Sequence, residues 1–401
     1  MIPRMRLDIA WSDLLHGARS CAASTSPEEA ERRLGQALPC GEAGLACLSV
    51  RSGFDALLQA LGFPAGSEIL VSAVTIPDMT RIIEAHGLVP VPIDLDVRRL
   101  SARVEVMERA VTPRTRAVLV AHLFGSRMPM EPVRRFAEEH GLIVFEDCAQ
   151  AYAGPEDLRD PQGDVSFFSF GPIKTATALG GAILCFRDLQ LLAAVRRVQS
   201  EWPIRPRRHF FARIFKYSLL VLLSYRPVYS LFTALCRLLG RDHDRLISER
   251  VRGFPGENLL AQIRQRPSAP LLALLERRIR RFDQGTIARR MAAARLAIER
   301  TPSLRRPGDQ APEHTHWMFP ALHEKPDELV RSMWNAGFDA TRGASSLYVV
   351  DPPADRPELE PAEARAAFER LLYLPVYAGL SRRRIERMAT VVLDVAPPGT
   401  T

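Results

Sequence analysis

The reading of this chain turns on LIVFEDCAQAYAG, residues 142–154, and DVSFFSFGPIKTATALGG, residues 164–181. Leu142 to Phe145 is an apolar run that ends on Glu146-Asp147. Such a run reads as a buried strand delivering a carboxylate to the carboxyl edge of a parallel sheet, where ligands of α/β folds collect. A second run, Val165 to Phe170, stops at Gly171-Pro172, and Lys174 follows four residues after Phe170. The chain has three lysines, Lys174, Lys216 and Lys325, against a large excess of arginine. A guanidinium stays protonated, whereas a lysine in an apolar pocket can lose its proton and attack a carbonyl. Lysine at position 174 of an arginine-rich chain therefore points to amine chemistry; the alternative is a lysine that merely ends a strand in solvent.

Outward from this stretch, strand-like runs alternate with helical ones. Leu45–Val50, Glu68–Val74, Leu88–Asp94 and Arg116–His122 read as strands, with helices over ALLQALG, after Thr75-Ile76-Pro77 and around Val104–Ala110. Beyond Lys174 come the strand AILCF and a helix over Leu189–Gln199. This alternation predicts a mostly parallel, doubly wound sheet. One long helix is expected over Leu271–Ile298, followed by a smaller C-terminal α/β unit. The expected organisation is an N-terminal arm (1–43) without chemistry, a large domain (44–204), a basic apolar helical insertion (205–252), a linking helix region (253–300) and a small domain (301–401). Ser52 with Asp55 three residues on has the form of a capping box, and Gly53 would let backbone approach an anion such as phosphate at that helix start.

At 401 residues and 47 % hydrophobic content, the chain can bury a large core and is not of disordered composition. Its six cysteines form no CxxC pair, so neither a zinc site nor a disulfide framework is expected, and no metal is called for. No stretch has the length of a signal core or a membrane span, and a cytoplasmic location is expected.

The pair EDCAQA and SFFSFGPIKTATALGG resembles the DegT/StrS-type aminotransferases, fold-type I pyridoxal phosphate (PLP) enzymes that aminate keto sugars attached to nucleotides. The resemblance implies an α/β fold with a large PLP-binding domain and a smaller C-terminal one, and a homodimer with shared active sites. It makes Asp147 the partner of the pyridinium nitrogen and Lys174 the lysine that holds the cofactor covalently. Gln150 matches the residue flanking the ring, Ser169 a serine on the phosphate, and Ser52-Gly53-Phe54 the phosphate-holding turn, with phenylalanine where relatives have threonine. Ile76 stands where an aromatic residue usually covers the ring. Arg264 or Gln265 falls where relatives reach the partner subunit's phosphate. Tyr152 and Arg342 fall near the substrate side, and Leu179 replaces a frequent acidic residue. A dehydrating subgroup carries histidine in place of the lysine, which Lys174 argues against. His122 at its strand end reads as a structural, hydrogen-bonded histidine, with a place lining the site as the alternative.

Residues 205–241 lie outside this resemblance. They hold eight Arg and Lys and no Asp or Glu, which equals the net charge of +8 for the whole chain. Phe210, Phe211, Ile214, Phe215, Leu219, Leu220 and Leu223 recur at helical spacing, and Pro227 is expected to divide two short helices. Such helices suit the headgroup region of an anionic membrane, and a hairpin packed on the protein itself is the alternative; no nucleic-acid-binding module accompanies the charge. The function implied is transfer of an amino group from glutamate or glutamine to the keto group of a nucleotide-linked sugar. The departures at Phe54, Ile76 and Leu179, with the insertion, leave open a lipid-like or membrane-held carbonyl acceptor. A PLP-fold binding protein without catalysis is the reading that intact Lys174 and Asp147 oppose.

Overall fold

Alternation at period two along the strands decides the architecture. In the computed structural model, which describes residues 1–241, 243, 244, 246, 258–343 and 346–395, Ile69 and Val71 pack into one apolar cluster and Leu70 between them into another. Leu119 points with the first pair and Val118 and Val120 with Leu70. Strands with both faces apolar must be covered on both faces, and helices do so.

Seven strands make the sheet: β1 (Gly44–Cys47), β2 (Glu68–Ser72), β3 (Val89–Ile93), β4 (Thr115–Ala121), β5 (Ile143–Asp147), β6 (Val165–Ser169) and β7 (Ala182–Phe186). Their order is β1-β7-β6-β5-β4-β2-β3. The run from β6 to β3 is parallel, while β7 is antiparallel to both β6 and β1. The register sets Phe167 beside Asp147 and Asp147 beside Ala121, so the last residues of β4, β5 and β6 meet at one edge.

Helices α1 (Trp11–Ala22) and α2 (Pro27–Gly35) come from the N-terminal arm, and α3 (Val50–Leu61) and α4 (Pro77–Ala85) follow the first two strands. The α3 cap is Ser49, whose hydroxyl accepts from Ser52 N. The expected capping box at Ser52 and Asp55 is therefore displaced: both residues are buried one turn inside the helix. Gly53 is required by packing, since a Cβ there would stand 2.5 Å from Leu184 Cδ1. Phe54 is fully buried between Phe145 and Phe167, with ring centroids 6.0 and 5.7 Å away.

After α5 (Glu131–His140) and α6 (Leu189–Ser200), the basic segment forms α7 (Arg207–Leu223) and α8 (Arg226–Leu238), whose axes bend by 91°. The break falls at Ser224-Tyr225; Pro227 sits in the first turn of α8, where its missing N–H costs nothing. No single described helix is long and apolar enough to cross a membrane.

The expected long helix is two, α9 (Ala269–Arg280) and α10 (Gln284–Arg300), because Asp283 turns its carboxylate to Gly285 N and starts a new helix. Residues 292–298 of α10 then join α11 (Pro326–Asn335), α12 (Arg382–Val395) and the antiparallel pair β8 (Pro320–Leu322) and β9 (Leu371–Tyr373) around a separate apolar cluster that also takes Ile2 and Phe338. The expected boundary at 252/253 and the chain end at 401 lie outside the described residues.

Candidate active site

The carboxyl edge of the sheet opens into a cavity of about 450 Å3, lined by Asp147 at the end of β5, Ser169 at the end of β6 and Lys174 in the loop that follows. Hydrogen bonds within that loop fix the lysine. Lys174 N donates to Gly171 O, Ala178 N and Gly180 N both donate to Phe170 O, and Thr177 Oγ1 donates to the same carbonyl. Ala176 and Leu179 are held at φ of 53° and 62°, a region that side chains occupy at a cost, so the surrounding contacts impose this path. Those contacts are visible: Asp8 accepts from Ala176 N at 2.6 Å, Arg290 donates to Thr175 Oγ1, and the Trp317 indole donates to Ile173 O.

The Lys174 ammonium lies 4.2 Å from the centre of the Trp317 ring. Burial pushes its pKa down to about 8, against the attraction of Asp147, so an appreciable fraction is neutral amine near neutral pH. Burial likewise pushes the Asp147 carboxyl up, opposed by the N–H of Ala149, at 2.9 Å, and by Lys174. Desolvation thus outweighs the mutual attraction of the pair on both sides. A cationic ring nitrogen brought against Asp147 would restore its charged form.

Among the other residues singled out in the sequence, Ile76 and Gln150 line the same cavity, and Gln150 Oε1 is fixed by Phe124 N at 2.9 Å. The turn entering α3 does reach the cavity, but through Ser49, Val50 and Arg51; Ser52, Gly53 and Phe54 face the core. Tyr152 is 2 % exposed and packs edge-on against Phe168, Phe170 and Phe282, away from the cavity, its hydroxyl without a partner. Arg342 is exposed, bonded to Glu369 O at 2.6 Å and near Asp327, although Gly343 beside it lines the cavity. Ala344 and Ser345 of the same motif lie outside the described residues. Arg264 forks onto the fully buried Asp55 at 2.9 and 3.1 Å, and Gln265 is half-buried; neither lines this chain's cavity.

His122, Glu146 and Cys148 bring metal-binding atoms within 4.8 Å of one another. Each ring nitrogen and carboxylate oxygen there is already used: His122 Nε2 meets Glu146 Oε1 at 2.9 Å, His122 Nδ1 accepts from Met128 N, and Glu146 Oε2 accepts from Gln162 N, Gly163 N and Ser166 Oγ. The cluster is a hydrogen-bond network that braces the sheet edge behind Asp147.

Three contributors to the cavity were not read from the sequence. Arg4 and Met5 reach it from the N-terminal arm, where no chemistry was expected, Arg4 being fixed by Asp339 at 2.7 Å. Trp317 arrives from beyond α10. The third is the inward side of α7, which brings Arg213, Lys216 and Tyr217 together with Arg205 just before the helix. The spacing of Phe210, Ile214, Tyr217 and Val221, all buried, marks that side. It was masked because Phe211, Phe215, Leu219 and Leu222 make the opposite side apolar too.

Residues 29–209 match the model of the DegT/DnrJ/EryC1/StrS aminotransferase family. GDP-perosamine synthase of Caulobacter vibrioides is 24 % identical over 367 residues, covering 89 % of this chain and 86 % of its own. UDP-N-acetyl-3-dehydro-alpha-D-glucosamine 3-aminotransferase of Acidithiobacillus ferrooxidans is 33 % identical over 177 residues, which are 42 % of this chain and 48 % of that protein. In fold, the chain is similar to the aminotransferase TlmJ of Streptoalloteichus hindustanus, with a TM-score of 0.69 at 18 % identity over 98 % of both chains. A Bacillus subtilis structure described as ntda with bound cofactor PMP matches with a TM-score of 0.67 at 16 % identity, over 96 % of this chain and 83 % of its own. The matched residues span the whole sheet edge from the α3 turn to Lys174, and over them the chain is similar to the DegT/DnrJ/EryC1/StrS aminotransferases, which are PLP enzymes.

Proposed function

We propose that this chain is a PLP-dependent aminotransferase that moves an amino group from an amino acid, glutamate or glutamine, to the keto group of a nucleotide-linked sugar. The observation that carries the reading is Lys174, held in a fixed loop with a lowered pKa and sharing one cavity with the enclosed carboxylate of Asp147. The residues fit the cofactor's chemistry: an amine for its aldehyde, a carboxylate for its ring nitrogen, and a serine with a helix N-terminus for its phosphate. PLP supplies an electron sink for negative charge at the carbon that loses a proton.

The protein's part is positional and acid–base. Asp147 would pair with the ring nitrogen and keep it protonated, Ser169 and the turn Ser49–Arg51 would hold the phosphate, Ile76 would cover the ring by dispersion and Gln150 would flank it. With PLP bound, Lys174 Nζ would hold its aldehyde carbon and, when free, would serve as the neutral base that takes up and returns a proton. The fixed loop path confines Nζ to the side of the cavity facing Trp317. As a homodimer, two chains would share sites through the 264–265 region, with Gln265 better suited to a partner contact because Arg264 is committed to Asp55.

The visible absorption spectrum with PLP, before and after glutamate, tests the reading beside Lys174→Ala. A band that wild type forms and converts with glutamate, and that the variant never forms, is the expected result. Wild type that binds PLP yet ignores every amino donor would remove transamination.

A second feature favours a membrane-held acceptor. On α7 and α8, Phe215, Leu231 and Leu238 are 63 %, 72 % and 83 % exposed, and Trp11 joins this surface through a hydrogen bond to Tyr225. With no acidic residue in 205–241, two such faces would repel one another, whereas an anionic lipid surface complements them. Co-sedimentation with liposomes containing phosphatidylglycerol, lost at high salt and in a deletion of residues 207–240, is expected; equal sedimentation of the deletion would sink it.

A further inference from the structure

We propose that Arg213, carried by α7, seats a phosphate group of the acceptor substrate, so that the insertion is a specificity element of the active site; this rests on the aminotransferase reading above. The side chain lines the cavity that holds Lys174. Its Nε is sealed from solvent and has no hydrogen-bond partner. What surrounds it is the Tyr217 ring, 5.8 Å from the guanidinium carbon to the ring centre, and the open backbone at Gly180, where a Cβ would lie 3.9 Å from that carbon.

Burial, opposed by the Tyr217 hydroxyl and aided by the cations Arg205 and Arg51, holds its pKa below the usual arginine range. Arg4 is neutralised by Asp339 and Arg277 and Arg278 by Asp13, whereas Arg290, more enclosed still, is answered by Thr315 O and Thr175 Oγ1. Among the described residues, the cavity lining contains a single carboxylate, Asp147, beside Lys174 and the cations Arg205, Arg213 and Lys216 from the insertion. A guanidinium whose Nε is sealed from water without a partner is completed by an anion with more than one acceptor oxygen, and a phosphate supplies both the charge and the geometry.

Two phosphates could enter the cavity, the cofactor's and the acceptor's. The cofactor's is accounted for by Ser169 and the α3 turn, which lie on the sheet edge shared with the family. Arg213 lies beyond residue 209, where the family match ends. Arg213 stands on α7, away from that edge, and its anion is accordingly assigned to the acceptor.

The test uses the PLP-loaded enzyme with inorganic pyrophosphate as probe, titrated calorimetrically into wild type, Arg213→Met and Arg213→Lys. Wild type is expected to bind pyrophosphate, Arg213→Met to bind it roughly 10- to 100-fold more weakly, and Arg213→Lys to fall between. Bound PLP per chain and the glutamate half-reaction are expected to stay at wild-type values in both variants. Equal pyrophosphate affinity in all three proteins, or none in wild type, overturns the proposal. Loss of PLP from the variants also overturns it, by giving the arginine to the cofactor's phosphate, and a raised KM for glutamate does so by giving it to the donor carboxylate. Should Arg213→Met fail to fold, Arg213→Lys alone still separates these outcomes, since an ammonium retains charge but not the fork. A wild type without any glutamate half-reaction would instead refute the aminotransferase reading.

Discussion

The sheet edge around Lys174 and helix α7 of the insertion face the same cavity and are built on opposite principles. At the edge, most polar groups are answered within the chain: Glu146 takes His122 and Ser166, Gln150 takes Phe124 N, and Asp147 takes Ala149 N. On α7 and α8, among the described residues, Arg213 stands near Arg205 and large apolar side chains face outward. A region that answers its own groups is preorganised for one reaction, whereas a region that leaves charge unanswered is completed by what binds it. The groups answered within the chain lie at the ends of β5 and β6, and the unanswered Nε of Arg213 lies on α7.

That contrast can be broken most severely at the edge. Lys174→Ala should reduce amino transfer on the order of 10^4-fold and allow PLP to be washed out, measured by single-turnover conversion with glutamate. Residual turnover within tenfold of wild type would remove Lys174 from the reaction. Phe54→Ala should lower unfolding stability by about 3–5 kcal/mol in denaturant titration, because it empties the space between Phe145 and Phe167. Phe54→Thr, which puts the family's hydroxyl back, should destabilise similarly and leave PLP affinity unimproved; tighter PLP binding would place residue 54 in the site after all.

A pH series sharpens the comparison further. Burial lowers the Lys174 pKa to about 8, and only the neutral amine captures an aldehyde, so the rate of PLP capture by the apoprotein should rise about tenfold per pH unit and level off above about 8. Asp147 raises that pKa, so Asp147→Asn should move the midpoint downward. A midpoint near the ordinary lysine value would mean that the cavity is wetter than its geometry implies. The smallest expected effect is on the insertion's outer side: Leu231→Asp should change stability by no more than about 0.5 kcal/mol, since the side chain is 72 % exposed, while weakening liposome binding. A large stability loss would show that this face is packed against another chain.

What could be read in the sequence was what the chain fixes locally. A buried strand ends where its apolar run ends, which put Asp147 and Ser169 on the sheet edge, and the turn after β6 put Lys174 beside them. The α3 start was misread by one turn, since Ser49 and Ser52 are both capping residues and only the packing of Gly53 on Leu184 and of Phe54 on Phe145 selects between them. Tyr152 and Arg342 were assigned to the substrate side by position, and packing against Phe170 and a bond to Glu369 O took them elsewhere.

By itself, then, the sequence determined the alternation of strands and helices, the carboxylate at one strand end and the lysine past the next, because these follow from burial at period two and from side-chain chemistry. Only the tertiary structure decided which face of α7 turns inward, that Arg4 and Trp317 reach the cavity, and that Arg264 answers Asp55. A helix apolar on both sides carries no phase of its own, and contacts between residues far apart in the chain are settled by the packing of the whole.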